Sequence, residues 1–214
     1  MMSPWHLLGV DIGTTATKAV LIGEEGGVLA ESAVPSRLIQ SAPGHVEQDP
    51  DEILQSVIRA VRACMDQAGV RPETIAGLAL DGQMAGMMMI DGDWNPVTPY
   101  DSWLDTRCAP YVRRMREHAE RVTALAGGPP TYSHGPKILW WMQEHPEVFS
   151  RARKVVMPAA YAAGRLAGLK GADAFIDPTY LHFSCLADAR RAVRDQLERL
   201  NERPFQKIPG SRRS

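Results

Sequence analysis

The sequence is poor in cysteine, with Cys64, Cys108 and Cys185 far apart and without any C-x-x-C or Cys/His spacing. That excludes a disulfide framework and a zinc ribbon, and leaves the three as small, reduced, apolar fillers. The six histidines are scattered, so no metal-ligand cluster is visible. No apolar run approaches the roughly 18 residues of a spanning helix. The start, Met1-Met2-Ser3-Pro4-Trp5, lacks a basic n-region with a following h-region. A cytoplasmic protein without a membrane partner is expected. The net charge of -1 provides no field of one sign, which argues against nucleic acid as a partner and for a small ligand. There is no Walker A pattern, Gly-x-x-x-x-Gly-Lys-Ser/Thr, and no internal repeat or low-complexity segment.

What is present is a chain of 214 residues, 44% hydrophobic, which suits one large domain or two small ones with an ample core. It is organised around Leu7-Leu8-Gly9-Val10-Asp11-Ile12-Gly13-Thr14-Thr15-Ala16-Thr17-Lys18-Ala19-Val20-Leu21. An apolar run ends in Asp11, a Gly/Thr cluster turns the chain, and alternating residues lead out, which reads as a strand, a tight turn and a strand. Gly13 permits close backbone approach, and the amides and hydroxyls of Thr14 and Thr15 can converge on phosphate oxygens. Asp11 stands where a carboxylate could hold hydrated Mg2+. An ordinary hairpin whose Asp caps the turn accounts equally well for these residues alone.

Further along, Val28 to Val34 reads as a third strand after a turn at Glu24-Glu25-Gly26-Gly27, and Asp49-Pro50 as a helix start. The helix it opens carries Ile53, Leu54, Val57, Ile58, Val61 and Met65 on one face and ends near Gly69. Thr74 to Leu80 is a strand, and Asp81-Gly82-Gln83-Met84-Ala85-Gly86 a turn that lets Gln83 and Met84 face a cleft. Met87 to Ile90 is a buried strand. One long polar helix is expected from Ala109 to Leu125, a second helix after Pro136-Lys137, a short strand at Lys154 to Met157 and a small helix at Ala159 to Leu166. Lys137 could line the cleft or snorkel to solvent. Trp103 could be core, and Asp105 with Arg107 could be charges at a helix start. From Ala187 the sequence is charged and helical, with Leu197 and Leu200 as a thin apolar stripe.

Asp11-Ile12-Gly13-Thr14-Thr15-Ala16-Thr17-Lys18-Ala19 resembles the first phosphate motif of the FGGY carbohydrate kinases, of the sugar kinase, actin and Hsp70 ATPase superfamily. Gly44 to Pro50, Gly82-Gln83-Met84, Trp103-x-Asp105-x-Arg107, Pro136-Lys137-Ile138-Leu139-Trp140 and Asp177-Pro178-Thr179-Tyr180 extend the resemblance over most of the chain. It implies an α/β, ribonuclease-H-like (actin-like ATPase) domain with a mixed central sheet, opened by three antiparallel strands and flanked by helices. It also implies transfer of the ATP gamma-phosphoryl group to a sugar or polyol hydroxyl, in a cleft between two such domains. Gly13, Thr14, Thr15 and Lys18 would then bind phosphate, with Asp11 at Mg2+. Gln83, Met84, Trp103, Asp105, Arg107 and Asp177 would meet the sugar: a ring face suits sugar C-H groups, while carboxylate and guanidinium supply directional hydrogen bonds.

Two departures bear on the substrate. Ala85 stands where many xylulose-kinase-like members have His, and Tyr180 is bulky for its segment. On this resemblance residues 1–209 form the sugar-binding N-terminal domain, 210–214 a tail, and the adenine-binding domain and the main catalytic Asp lie outside the chain. The expectation is a kinase half that is inactive alone. A non-catalytic sugar-binding or regulatory module, or one half of a split kinase, is the alternative.

Overall fold

The computed structural model describes residues 5–176. The segment Asp177 to Tyr180, Cys185, the charged stretch from Ala187, and the tail 210–214 lie outside the described residues.

The expected opening is present as β1 (His6–Ile12), β2 (Ala16–Gly23) and β3 (Val28–Pro35), successively antiparallel. The period-two pattern turns Leu8, Val10 and Ile12 inward and leaves Leu7 and Asp11 outward. After a two-residue strand, β4 (Glu47–Gln48), α1 runs from Pro50–Ala68. Its start is fixed by Asp49, whose carboxylate accepts from the Asp51 and Glu52 amides, with Pro50 in the first turn. Ile53, Leu54, Val57, Ala60 and Cys64 bury its inner face on the sheet. Polar contacts sit among them, including a 2.6 Å hydrogen bond between the Thr17 and Ser56 hydroxyls and one of 2.7 Å from the Ser32 hydroxyl to the Ala60 carbonyl.

β5 (Ile75–Gly82) adds to β1 in parallel, so the sheet order is β3-β2-β1-β5. The turn expected from Asp81 starts later. Asp81 and Gly82 stay in the ladder opposite Asp11 and Ile12, because pairing with the end of β1 overrides the Asp-Gly turn signal.

The methionine run is core, as expected, and it serves two cores. In β6 (Met88–Ile90), Met88 and Ile90 join the cluster under the sheet, while Met87 and Met89 meet Trp141 on the other side. β7 (Tyr100–Asp101) pairs with β4.

The single helix expected over Ala109 to Leu125 is two, α2 (Ala109–Arg116) and α3 (Ala119–Ala126). The His118 amide bonds back to Met115 only three residues away, and its φ of -121° leaves the helical region, so the axis breaks there. α4 (His134–Glu144) is followed by α5 (Pro146–Phe149), β8 (Lys154–Val156) paired with β6, and α6 (Pro158–Ala167). α6 packs with α1 on the same face of the sheet, placing Tyr161 in the main core. No helix among the described residues is long and apolar enough to cross a membrane.

Candidate functional site

The turn between β1 and β2 is closed by the Gly13 amide donating to the Ala16 carbonyl at 3.0 Å. A Cβ at position 13 would lie 2.8 Å from that carbonyl oxygen, so the tight turn requires glycine. Asp11, at the end of β1, is exposed. It stands opposite Lys18 on β2 and opposite Asp81 on β5. Asp11 and Lys18 face an open hollow on the uncovered side of the sheet, of about 560 Å3, lined also by Gly9, Val20 and Glu31. Two exposed carboxylates on adjacent strands are hard oxygen donors of the kind hydrated Mg2+ accepts. No group of three His, Cys, Asp or Glu among the described residues could hold a metal directly. The donor set therefore fits a cation held mainly through water and phosphate.

Thr14 is where the separate motifs meet. Its hydroxyl accepts from the Trp103 indole Nε1 at 2.9 Å and donates to Gln83 Oε1 at 3.0 Å. Gln83 Nε2 donates to Gln48 Oε1 at 2.7 Å, and Gln48 Nε2 returns to the Thr14 carbonyl at 3.5 Å. Trp103 is 51% exposed, and Met84 43% exposed. Thus the turn expected to hold phosphate and the two segments expected to hold sugar form one hydrogen-bonded ring, with an indole and a thioether open to solvent at its edge.

Behind Trp103 lies a buried charge cluster. The Asp105 carboxylate has no exposed surface. Its Oδ2 accepts from the Val46 amide at 2.7 Å and from Arg107 Nε at 2.9 Å. Arg107 Nη2 also reaches Glu47 Oε1 at 2.6 Å, and its guanidinium lies 5.0 Å from the Trp140 ring centroid. Burial opposes the Arg107 charge, but Asp105, Asp101 and Glu47 hold its pKa above the ordinary value. Lys137 does not snorkel. It is buried, and Nζ donates to the Asp105 carbonyl at 2.8 Å. Burial pushes its pKa down against the pull of Cys108, Asp105 and Asp101.

Asp101 is the incompletely hydrogen-bonded member. It is fully buried, its Oδ2 accepts from Trp141 Nε1 at 2.6 Å, and its Oδ1 has no hydrogen-bond partner, with Arg107 Nη2 3.7 Å away. Burial raises its pKa to about 7, although Arg107 and the Trp141 hydrogen bond oppose the rise.

The structure therefore brings Thr14, Gln83 and Trp103 together, sets Asp11 and Lys18 on the adjoining sheet face, and leaves Thr15 exposed beside them. Asp105 and Arg107 are together but turned inward. Asp177 lies outside the described residues. Sequence reading passed over Gln48, hidden by the helix-start signal of Asp49-Pro50. It also passed over Asp101, on a two-residue strand too short to show a pattern, and over His134, whose Nε2 donates to the Met84 carbonyl at 2.8 Å.

The description "FGGY family of carbohydrate kinases, N-terminal domain" matches residues 6–178. The xylulose kinase of Bacillus subtilis strain 168 is 31% identical over 171 residues, covering 77% of this chain and 33% of that protein. The gluconokinase of the same strain is 32% identical over 155 residues, covering 71% of this chain and 30% of that one. Among solved structures, the gluconate kinase of Lactobacillus acidophilus superposes with a TM-score of 0.70 at 27% identity, over 76% of this chain and 33% of its own. The xylulose kinase of Rhodospirillum rubrum, at 23% identity and a TM-score of 0.75 over 86% of this chain and 39% of its own, shares the fold. The chain spans about a third of the length of the curated relatives it matches. By the family match over most of its length, and by the sheet and motifs that carry it, the chain belongs to the FGGY family of carbohydrate kinases.

Proposed function

We propose that this chain is the acceptor-binding half of an ATP-dependent carbohydrate kinase. The observation that carries the reading is the Trp103–Thr14 hydrogen bond, which joins the sugar segment directly to the phosphate turn. In phosphoryl transfer the acceptor hydroxyl oxygen attacks the gamma phosphorus, the bond to ADP breaks, and a carboxylate takes the hydroxyl proton. This chain supplies the positioning. Trp103 offers a ring face to sugar C-H groups, Gln83 a carboxamide to a hydroxyl, and Met84 a pliable apolar wall. The Thr14 and Thr15 backbone and hydroxyls, with Lys18, face the phosphates. Asp11 would hold Mg2+ through water, with Asp81 beside it, where the ion's chemistry is neutralisation of phosphate charge.

The Asp105 carboxylate and Arg107 Nε and Nη2 are committed to one another and to Glu47 and Val46. In this reading they fix the loop under Trp103, and direct contact of the Asp105 carboxylate with a sugar hydroxyl requires one of those bonds to open. Asp177 would complete the acceptor side. The carboxylate base and the adenine-binding domain belong to the remainder of a full-length kinase, and a cytoplasmic setting goes with the same reading. The relatives' names make D-xylulose and D-gluconate the first acceptors to try, although Ala85 in place of His removes one hydrogen bond from the commoner xylulose pattern.

Isothermal titration with D-xylulose, D-gluconate and glycerol tests the reading. Saturable binding of one of them, lost in Trp103→Ala, supports it. Absence of binding by all three, or binding unaffected by Trp103→Ala, contradicts it.

A further inference from the structure

The four hydrogen bonds around Thr14 have a direction, and it is set at one end. A backbone carbonyl can only accept, so the atom of Gln48 that faces the Thr14 carbonyl is the amide nitrogen. This leaves Gln48 Oε1 to face Gln83, which must present Nε2, as it does at 2.7 Å. Gln83 then turns Oε1 to Thr14, and the Thr14 hydroxyl must donate, as it does at 3.0 Å. With its one proton committed to Gln83, the Thr14 oxygen takes the Trp103 indole, which can only donate, at 2.9 Å. Gln48 is 3% exposed and Gln83 9% exposed, so water does not readily replace these partners.

We infer that Gln48 is a positioning residue for the reaction proposed above. By fixing which way the Gln83 carboxamide points, it commits the one Thr14 hydroxyl proton to Gln83, which polarises the oxygen that accepts from Trp103 and leaves no proton to give a phosphate oxygen. The Gly13 amide is equally spent, on the Ala16 carbonyl at 3.0 Å. Phosphate binding by the Thr14 hydroxyl therefore requires Gln83 to let go, and an acceptor hydroxyl that engages Gln83 is a group that can make it do so. The two halves of the site are coupled through one hydroxyl, and Gln48 sets its resting state. This rests on the proposed function for its meaning, but the hydrogen-bond direction is testable without any ligand.

The experiment is 15N-1H NMR of the ligand-free full chain, reading the Trp103 indole Nε1-H, identified by its loss in Trp103→Phe. Thr14→Val marks the unbonded position of that signal. In Gln48→Leu, similar in size but without either polar atom, the signal should move toward the Thr14→Val position and exchange with water about tenfold faster, the effect of one net hydrogen bond. Gln48→Met repeats the test should Gln48→Leu fail to fold. Gln48→Glu retains an acceptor oxygen for Gln83 Nε2 and so should keep the signal nearer wild type than Gln48→Leu. A role in packing alone predicts the reverse order, since a buried carboxylate fits worse than leucine. The inference is overturned if Gln48→Leu leaves the Trp103 signal and its exchange unchanged, or if Gln48→Glu disturbs it more than Gln48→Leu. Failure of the sugar titrations would remove the proposed function and leave these ligand-free spectra as they are.

Discussion

Trp103 and Thr14, separated by 89 positions in the chain, meet through a 2.9 Å hydrogen bond from the indole Nε1 to the threonine hydroxyl. The bond ties the loop that follows β7 to the turn between β1 and β2. Because Trp103 is half exposed, the contact serves the cleft more than the core.

Trp103→Ala should therefore cost little in folding and much in binding. The expected change in unfolding free energy is within about 0.5 kcal/mol, as for surface positions generally. Affinity for the sugar that binds should fall by roughly tenfold or more with loss of the aromatic face. Urea unfolding and calorimetric titration on the same preparation check both.

Lys137→Met should behave in the opposite way. It removes a buried ammonium from between the Asp105 carbonyl and carboxylate, 2.8 and 3.8 Å away. Breaking one side of a buried pair leaves charge uncompensated and costs about 3–5 kcal/mol. The urea midpoint should drop at unchanged slope.

Asp101 predicts a pH dependence. Its carboxyl titrates near 7 in the folded chain, above its ordinary value of 3.8, because burial disfavours the charge. Protonated Asp101 thus favours the folded state. That contribution is complete below the unfolded value and is lost as pH rises through about 7. The groups facing it, Arg107, Lys137, Asp105 and Trp141, are unchanged in Asp101→Asn. Melting temperature measured from pH 5 to pH 8 should fall less steeply with pH in Asp101→Asn than in wild type; equal slopes would contradict this.

Gly164→Ala should destabilise the packing of α6. A Cβ there overlaps the Trp94 ring, which is buried at 1% exposure under a backbone with φ of 65°. Overpacking of this kind costs typically about 1–3 kcal/mol, read from the shift in urea midpoint.

Much of this fold was legible because period and punctuation agree. The β1–β2 hairpin alternates inward Leu8, Val10 and Ile12 with outward Asp11, and α1 is announced by Asp49-Pro50 and closed at Gly69. Where sequence reading failed, a non-local pairing decided the outcome. Asp81 and Gly82 look like a turn until β1 lies beside them, and the break at His118 leaves no proline or glycine to mark it. The candidate site was legible in its exposed members, Thr14, Gln83 and Trp103, which lie in recognisable motifs. Gln48, Asp101 and the inward turn of Asp105 and Arg107 were not, because burial and hydrogen-bond direction depend on neighbours up to 60 positions away.

The most direct test is an NMR titration of the 15N-labelled chain with the acceptor that calorimetry selects, following the Trp103 indole, the Gln83 side-chain amide and the Thr14 backbone amide together. The account predicts that all three shift with one saturation curve, since the sugar meets Trp103 and Gln83 and releases Thr14. Shifts confined to other residues, or a sugar that moves Trp103 while Gln83 and Thr14 stay fixed, would contradict it.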